Sequence, residues 1–198
     1  MGEGRFRRTE CLLLAVLALT ASACGGGAGS LTAKSTPTAA SVVPSDPCGA
    51  AGVTLYLMIQ VSMEPTLEPG DQLVVGPATD AAGEIVVFAP PPAYQVAAQN
   101  IPWIKRVVGV GGDNVELKNG AVWVNGAQIS EPYVYQGQLT EATAEQTVWQ
   151  VPTGHLFVLG DHREASQDSR TLGPIAVGSV IGRVTYRCLP AASRGPIG

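Results

Sequence analysis

The sequence predicts a mostly β domain made of short strands and many turns. Glycine and proline are abundant, with 24 glycines and 15 prolines among 198 residues, and both residues interrupt regular elements. Short runs of branched and aromatic residues recur between the turns, whereas few segments show the apolar spacing of a helix. The length fits one main domain, and a hydrophobic content of 45% is sufficient for a core.

The predicted strands alternate with glycine, proline and asparagine turns. Asn119-Gly120 separates two of them and is typical of a type I′ turn, so it predicts a hairpin. Asn125-Gly126 repeats that signal a few residues later. The strands are expected at residues 53–59, 72–75, 84–88, 103–110, 115–117, 121–124, 128–129, 155–159 and 180–186.

The N-terminus has the composition of a targeting segment. Three arginines within the first eight residues precede an apolar stretch at residues 12–23, which is shorter than the roughly 20 residues of a membrane span. The stretch ends in Ala-Ser-Ala before Cys24 and resembles a bacterial lipobox. We therefore predict lipid attachment at Cys24. An uncleaved anchor is the alternative, because residues 11–33 carry no charge.

Composition divides the chain into four parts. Residues 1–23 form the signal segment, and residues 24–47 form a flexible tether rich in Gly, Ser, Thr, Ala and Pro. Residues 48–190 form the folded domain and residues 191–198 a tail. Either kind of N-terminus places the domain outside the cytoplasm. The net charge of -4, without a basic run, argues against a nucleic-acid partner.

Two cysteines remain if Cys11 is removed with the signal and Cys24 is lipidated. Cys48 precedes the first predicted strand and Cys188 follows the last one, and an oxidising compartment favours their pairing. The disulfide would close a loop of about 140 residues, for which chain-entropy models give on the order of 4–5 kcal/mol. Two separate buried thiols are the alternative.

Three polar motifs stand among the apolar strands. Residues 62–67 read Ser-Met-Glu-Pro-Thr-Leu, residues 105–113 Lys-Arg-Val-Val-Gly-Val-Gly-Gly-Asp, and residues 160–170 Gly-Asp-His-Arg-Glu-Ala-Ser-Gln-Asp-Ser-Arg. A serine hydroxyl is a weak nucleophile unless a base removes its proton, and lysine can be that base when burial keeps its amine neutral. Ser62 is therefore the predicted nucleophile and Lys105, with apolar neighbours on both sides, the predicted general base.

These motifs, in this order, resemble those of type I signal peptidases, the membrane-bound Ser–Lys proteases that remove signal peptides from exported proteins. The resemblance covers residues 55–187. It implies a coiled, barrel-like antiparallel β core with a smaller inserted β portion. It also implies a serine endopeptidase without a cofactor, which cuts after small residues of the Ala-x-Ala type. The implied partners are exported proteins and membrane lipid, at the extracytoplasmic face of the bacterial cell membrane.

The resemblance assigns supporting roles within the third motif. Ser166 is implied to hydrogen-bond the amine of Lys105 and fix it toward the nucleophile, although a serine there can also cap a loop. Asp168 and Arg170 are implied to pair and hold the motif in shape, and Asp161 to hold a turn.

The resemblance also points to groups around the reacting bond. Gln60 stands where some family members place a serine hydroxyl that helps the Ser62 N–H bind the oxyanion, and its amide either donates there or faces solvent. Met58, Met63 and Ile104 match substrate-pocket positions, but they can also fill the core. A further apolar group either touches the bilayer or packs in the ordinary way: Pro90, Pro91, Pro92, Tyr94, Ile101 and Trp103.

Other mechanisms and functions have weaker support in the sequence. A histidine mechanism would need His155 or His162, and neither stands in a triad motif. The scattered cysteines and histidines show no metal-ligand spacing, so no metal site is expected. Two other functions remain open: a dedicated processing peptidase with few clients, and a non-catalytic lipoprotein that binds extended peptides.

Overall fold

Strands dominate the computed structural model, which describes residues 46–94 and 101–197. All of these residues fall within one compact unit. The strands are β1 (Leu55–Leu57), β2 (Gln72–Gly76), β3 (Ile85–Phe88), β4 (Trp103–Val110), β5 (Asn114–Lys118), β6 (Ala121–Val124), β7 (Ala127–Gln128), β8 (Val148–Gln150), β9 (His155–Leu159), β10 (Ile175–Ala176), β11 (Val180–Leu189) and β12 (Gly195–Pro196). The helices are short: α1 (Ser169–Leu172) and the 3-10 turns Pro47–Gly49, Pro92–Tyr94, Arg163–Ala165, Val177–Ser179 and Ala191–Ser193.

The larger sheet carries Lys105 on β4, and its strand β1 leads into the turn that contains Ser62. Its eight strands run in the order β1-β2-β11-β3-β4-β9-β10, with β12 paired to β11, and every pairing is antiparallel. Register shifts interrupt β11 opposite β2, between Val184 and Tyr186 and again between Arg187 and Leu189. Such bulges bend a strand and increase its twist, so the sheet curls, as the resemblance implied.

The smaller sheet is inserted between β4 and β9 of the larger one. Its order is β7-β6-β5-β8, and β5 meets β6 with Lys118 opposite Ala121. The two residues between them, Asn119 and Gly120, have φ values of 53° and 73°, as a type I′ turn requires. This hairpin confirms the prediction made from Asn-Gly, and the insertion confirms a smaller second β portion.

Three clusters of buried apolar side chains hold the sheets together. The first lies beneath the residue 62–67 turn and the second between the smaller sheet, β4 and β9. The third covers the other face of β3, β4 and β9. Their members are, in that order, Met58, Met63, Leu67, Leu73, Ile85, Val87, Ile104 and Val184; Val108, Val115, Leu117, Val122, Trp149, Val151, Phe157 and Leu159; and Val86, Phe88, Val107, Leu156, Val158 and Ile175.

The structure differs from the strand predictions in a few places. The first strand covers Leu55–Leu57 and not the whole of residues 53–59, because Met58 already bonds to loop residues: its N–H donates to Asp71 O, and Gly70 N–H donates to its carbonyl. Strands β8, β10 and β12 were not predicted. They are two or three residues long, too short to give a period.

A disulfide joins the two ends of the domain. Cys48 and Cys188, 140 residues apart, are bonded with their Cα atoms 5.5 Å from each other. An ion pair between Asp46 and Arg194 at 2.5 Å lies nearby in sequence. The expectations for the signal segment, the lipid site at Cys24 and most of the tether lie outside the described residues.

Candidate active site

Ser62 occupies a tight turn that follows the first strand. Backbone bonds from Glu64 N to Val61 O and from Leu67 N to Met63 O close this turn. The side chains of Met63 and Leu67 are fully buried beneath it, so apolar packing fixes the turn from below. Ser62 itself is only 3% exposed, which limits the conformations open to its hydroxyl.

Lys105 reaches the same point from strand β4. Its backbone pairs with Val86 of β3, and its side chain is 1% exposed. The amine Nζ lies 2.6 Å from Ser62 Oγ and also donates to the carbonyl of Ile104 at 3.1 Å. The fold thus brings together two residues that are 43 positions apart.

The environment of Lys105 favours a neutral amine. Burial lowers its pKa from 10.5 to about 8, because a charged ammonium loses its hydration there, while the carboxylates of Asp168 and Asp161 oppose this shift. An amine with this pKa is partly neutral near neutral pH and accepts a proton readily. The pair can therefore activate a serine hydroxyl.

Asp161 joins all three motifs at one carboxylate. Arg106, next to Lys105, donates to both of its oxygens at 2.9 and 2.7 Å, and the hydroxyl of Thr66 donates to it at 2.6 Å. Asp161 is fully buried and Arg106 is 9% exposed. For Asp161 the resemblance implied only a turn, and no role was predicted for Arg106 or Thr66. The sequence signal for Arg106 was an arginine next to the lysine within an apolar predicted strand.

The rest of the third motif is held by two further arginines. Arg170 binds both carboxylate oxygens of Asp168 at 2.8 and 2.9 Å. Arg163 is 2% exposed and donates to Glu131 at 2.7 and 3.2 Å and to Thr140. These contacts of Arg163 were not predicted, and they tie the segment between β7 and β8 to the third motif.

Ser166 lies close to the backbone of Ser62 and forms no hydrogen bond with Ser62 or Lys105. Its Oγ is buried and has no hydrogen-bond partner among the described residues. Gly160 makes this approach possible, since a Cβ on Gly160 would lie 2.2 Å from Ser166 Oγ and 2.5 Å from the Ser62 carbonyl oxygen. The backbone of Ser62 therefore packs directly on the third motif.

An open cleft of about 430 Å³ gives access to Ser62 and Lys105. Gln60, which is exposed, lines this cleft. The remaining lining residues are Ile59, Val61, Trp103, Ala165 and Gln167. The ring of Trp103 lies 5.8 Å from Lys105 Nζ and makes edge contacts with Phe88 and Tyr94, so it packs inside the molecule while facing the cleft.

The three predicted pocket residues belong to the core. Met58, Met63 and Ile104 are 3%, 0% and 6% exposed and share one cluster. Met58 and Ile104 also border a space of about 10 Å³, next to Leu57 and Gln60. Core packing and the lining of a shallow depression are thus combined in the same side chains.

Neither histidine contacts the hydroxyl of Ser62. His155 Nδ1 lies 3.2 Å from the carbonyl of Thr153. His162 Nδ1 lies 3.3 Å from a carboxylate oxygen of Glu64. Within residues 46–94 and 101–197 no group of three His, Cys, Asp or Glu side chains could hold a metal ion.

Comparison with known proteins decides the family. The model of the family "Signal peptidase, peptidase S26" matches residues 50–189. The chain belongs to the signal peptidase family. It is 36% identical over 144 residues to a probable signal peptidase I-1 of Synechocystis sp., covering 69% of this chain and 71% of that protein. It is also 36% identical over 159 residues to signal peptidase IB of Staphylococcus aureus, covering 70% of this chain and 78% of that protein.

A solved signal peptidase I from Enterococcus faecalis V583 aligns with 56% of this chain and 100% of its own, at 29% identity and a TM-score of 0.43. The family and the curated relatives make this signal peptidase a serine endopeptidase of the signal peptidase I type, acting on exported precursor proteins. In the part of the chain that the structure describes, no helix has the length and hydropathy to cross a bilayer.

Proposed function

We propose that this signal peptidase is a membrane-tethered, extracytoplasmic enzyme that uses a Ser62–Lys105 dyad and cuts after Ala-x-Ala. The observation that carries the dyad is the contact of 2.6 Å between Lys105 Nζ and Ser62 Oγ, made by a lysine that is 1% exposed. Lys118, the other lysine of the described residues, has a side chain that is 51% exposed. It therefore lacks the burial that a neutral amine requires.

Acylation follows from this contact. With the amine neutral, the Ser62 hydroxyl donates to Nζ, and Oγ attacks the scissile carbonyl as the proton passes to Lys105. The tetrahedral intermediate then collapses, and the Lys105 ammonium returns the proton to the leaving amine. The product is an ester on Ser62 and a free new N-terminus.

Deacylation repeats the chemistry with water. Neutral Lys105 takes a proton from a water molecule that attacks the ester carbonyl, and the same proton returns to Ser62 Oγ as the acid product leaves. The enzyme regains its starting protonation state, so one peptide bond and one water molecule are consumed in each cycle.

The oxyanion needs donors near Ser62. The backbone N–H of Ser62 forms no hydrogen bond with the described residues, so it is available as the first donor. Gln60, exposed in the same cleft, is the proposed second donor through its side-chain amide. Removing one such donor typically lowers kcat by about 10²–10³-fold.

Ser166 is proposed to orient Lys105 once substrate excludes water. Its hydroxyl is buried without a partner, and a buried hydroxyl left unpaired costs about 1–3 kcal/mol. A bond to Lys105 Nζ would satisfy both groups. Asp161, Asp168 and Arg170 are proposed to support the site through the ion pairs described above, without touching substrate.

The preference for small residues is proposed from the shape of the cleft edge. Met58 and Ile104 leave only a space of about 10 Å³ next to Gln60. Met63 packs in the same core cluster. Side chains larger than alanine would have to displace these core residues. An extended substrate can add to a strand edge there, with backbone bonds giving affinity.

Membrane tethering is supported by an exposed apolar row. Leu55, Leu57, Ile59 and Val61 are 44%, 58%, 50% and 42% exposed. They occupy every second position along β1 and the residues that follow it, and β1 is an edge strand of the larger sheet. The row ends at Ser62, so a membrane contact there would bring the site close to a signal peptide leaving the bilayer. The lipid on Cys24 is the proposed anchor.

The substrate proposal is tested with a set of extended peptides, using the full chain in detergent. The parent peptide carries Ala-x-Ala, and matched peptides carry leucine in place of either alanine. We expect cleavage after the second alanine of the parent peptide, located by mass spectrometry, and a loss of cleavage with either leucine. Equal cleavage of all three peptides would contradict the proposed specificity. Cleavage only of peptides that carry the flanking sequence of one particular client protein would favour the dedicated processing peptidase.

The anchor is tested by the mass of the mature N-terminus. The parent protein should begin at a lipid-modified Cys24, and Cys24→Ala should leave the membrane fraction or retain its signal segment. An unmodified N-terminus at Met1 in the membrane fraction would contradict lipidation and support the uncleaved anchor.

A further inference from the structure

His162 lies where three segments meet, yet the dyad mechanism gives it no task. It belongs to the third motif, and its backbone N–H donates to the carbonyl of Ser62 at 3.1 Å. Its ring stacks on Tyr135, with centroids 4.4 Å apart and planes at 8°. Its Nδ1 lies 3.3 Å from Glu64, two residues after the nucleophile. His162 therefore contacts the Ser62 turn through both its backbone and its side chain.

The carboxylate of Glu64 is the group that can satisfy the His162 ring. Nδ1 is buried and has no hydrogen-bond partner among the described residues, and a carboxylate oxygen of Glu64 lies 3.3 Å from it. The two side chains are 18% and 25% exposed, so water reaches only part of either group. An unsatisfied buried nitrogen costs about 1–3 kcal/mol, so a hydrogen bond from Nδ1–H to this carboxylate would be favoured.

Two charged neighbours of His162 in the chain are paired with other residues. Asp161, on the same segment as His162, binds Arg106. Arg163, on its other side, binds Glu131. Glu64 is the carboxylate that faces the His162 ring, at 3.3 Å from Nδ1. The aromatic face of Tyr135 fixes the plane of the imidazole ring, and with it the direction of Nδ1.

Tyr135 connects this arrangement to the segment between β7 and β8. Its N–H donates to the carbonyl of Asp161 at 3.0 Å, so the tyrosine contacts two neighbouring residues of the third motif. Arg163 ties the same segment down independently through Glu131 and Thr140. The fold of the segment therefore does not depend on the His162 ring, and removal of the ring should leave the domain folded.

We infer that His162 is a positioning residue for the nucleophile, which it holds through Glu64 and the Ser62 carbonyl while Tyr135 braces its ring. This inference rests on the proposed role of Ser62. None of the three side chains lines the cleft that contains Ser62 and Lys105, so His162 acts on the geometry of Ser62 and not on substrate contacts. A displacement of about 1 Å at a reacting group can cost about 10²-fold in rate.

The test compares kcat and KM for single and paired substitutions in the full chain. We expect His162→Ala to lower kcat by about tenfold or more, with KM within about twofold of the parent value. Tyr135→Phe keeps the stacked ring and should retain parent kcat, whereas Tyr135→Ala should lower it. Glu64→Gln should lower kcat, and the Glu64→Gln/His162→Ala pair should lose less than the product of the two single losses. His155→Ala is the matched control and should have parent kcat.

Thermal unfolding is measured on each variant to separate positioning from folding. The inference would be overturned if His162→Ala kept parent kcat or changed KM alone. It would also be overturned if the two losses in the Glu64→Gln/His162→Ala protein were independent, or if the loss of kcat equalled the loss of folded protein. A failure of the proposed function has a different signature, since Ser62→Ala would then retain cleavage.

Discussion

Lys105 Nζ lies 2.6 Å from Ser62 Oγ, although the two residues come from different parts of the fold. The lysine projects from a strand that pairs on both sides, with β3 and β9. The serine lies on a turn anchored by Met63 and Leu67, both fully buried. Two rigid supports thus hold the atoms at reacting distance before substrate arrives, and the entropic cost of aligning them is met by folding.

The first prediction concerns the pH dependence of cleavage. The base must be neutral to accept the Ser62 proton, and burial lowers the pKa of Lys105 to about 8. We expect kcat/KM to be low below this value, to rise through about pH 8, and to level off above it. Initial rates on one peptide between pH 6 and pH 10 measure this profile. A rate that stays level across this range, with chemistry rate-limiting, would contradict a lysine base.

The second prediction concerns the stability that Lys105 costs. A pKa lowered from 10.5 to about 8 corresponds to a destabilisation of about 3 kcal/mol when the amine is charged. Below pH 8 the folded protein bears the full cost. Between pH 8 and 10.5 the unfolded chain binds the proton more often than the folded one, so parent stability rises with pH.

Lys105→Met should therefore unfold at higher urea concentration than the parent below pH 8, by up to about 3 kcal/mol in free energy. This gain should shrink as pH rises toward 10. Lys118→Met changes an exposed lysine and is the control, with stability close to the parent at every pH. A Lys105→Met protein less stable than the parent at pH 7 would contradict the cost assigned to the buried amine.

Sequence and structure agree best where the physical cause is local. The Asn119-Gly120 hairpin could be predicted because a type I′ turn needs φ above zero at both residues. The Ser62 and Lys105 assignments came from motifs. The ion pair of Arg163 with Glu131 could not be predicted, because the two residues are 32 positions apart. The segment that contains Glu131 also shows neither the helical nor the strand periodicity of apolar residues. The unpaired hydroxyl of Ser166 likewise depends on tertiary packing.

The third prediction concerns Gly160. A methyl group there would lie 2.2 Å from Ser166 Oγ and 2.5 Å from the Ser62 carbonyl oxygen, so backbone must move. Gly160→Ala should lower kcat by on the order of 10²-fold, because the nucleophile is displaced. Gly178→Ala places its methyl group in open space and should retain parent kcat. Equal activity of the two variants would show that the Ser62 carbonyl need not pack against this glycine.

The fourth prediction concerns the disulfide between Cys48 and Cys188. It closes a loop of 140 residues, and its loss should lower the free energy of unfolding by up to about 4–5 kcal/mol in the chain-entropy account. Thermal unfolding with and without reductant measures this effect. The Cys48→Ala/Cys188→Ala protein should melt at the reduced parent's temperature, with no response to reductant. A parent midpoint that reductant leaves unchanged would mean that the disulfide adds no stability.

The most direct test of the Ser62–Lys105 dyad is single-turnover cleavage of one Ala-x-Ala peptide by four proteins. These are the parent, Ser62→Ala, Lys105→Ala and the exposed-lysine control Lys118→Ala, each shown to be folded by thermal unfolding. We expect parent rates from Lys118→Ala and losses on the order of 10³-fold or more from the other two variants. A folded Lys105→Ala that cleaves at the parent rate would place the base elsewhere and contradict the dyad.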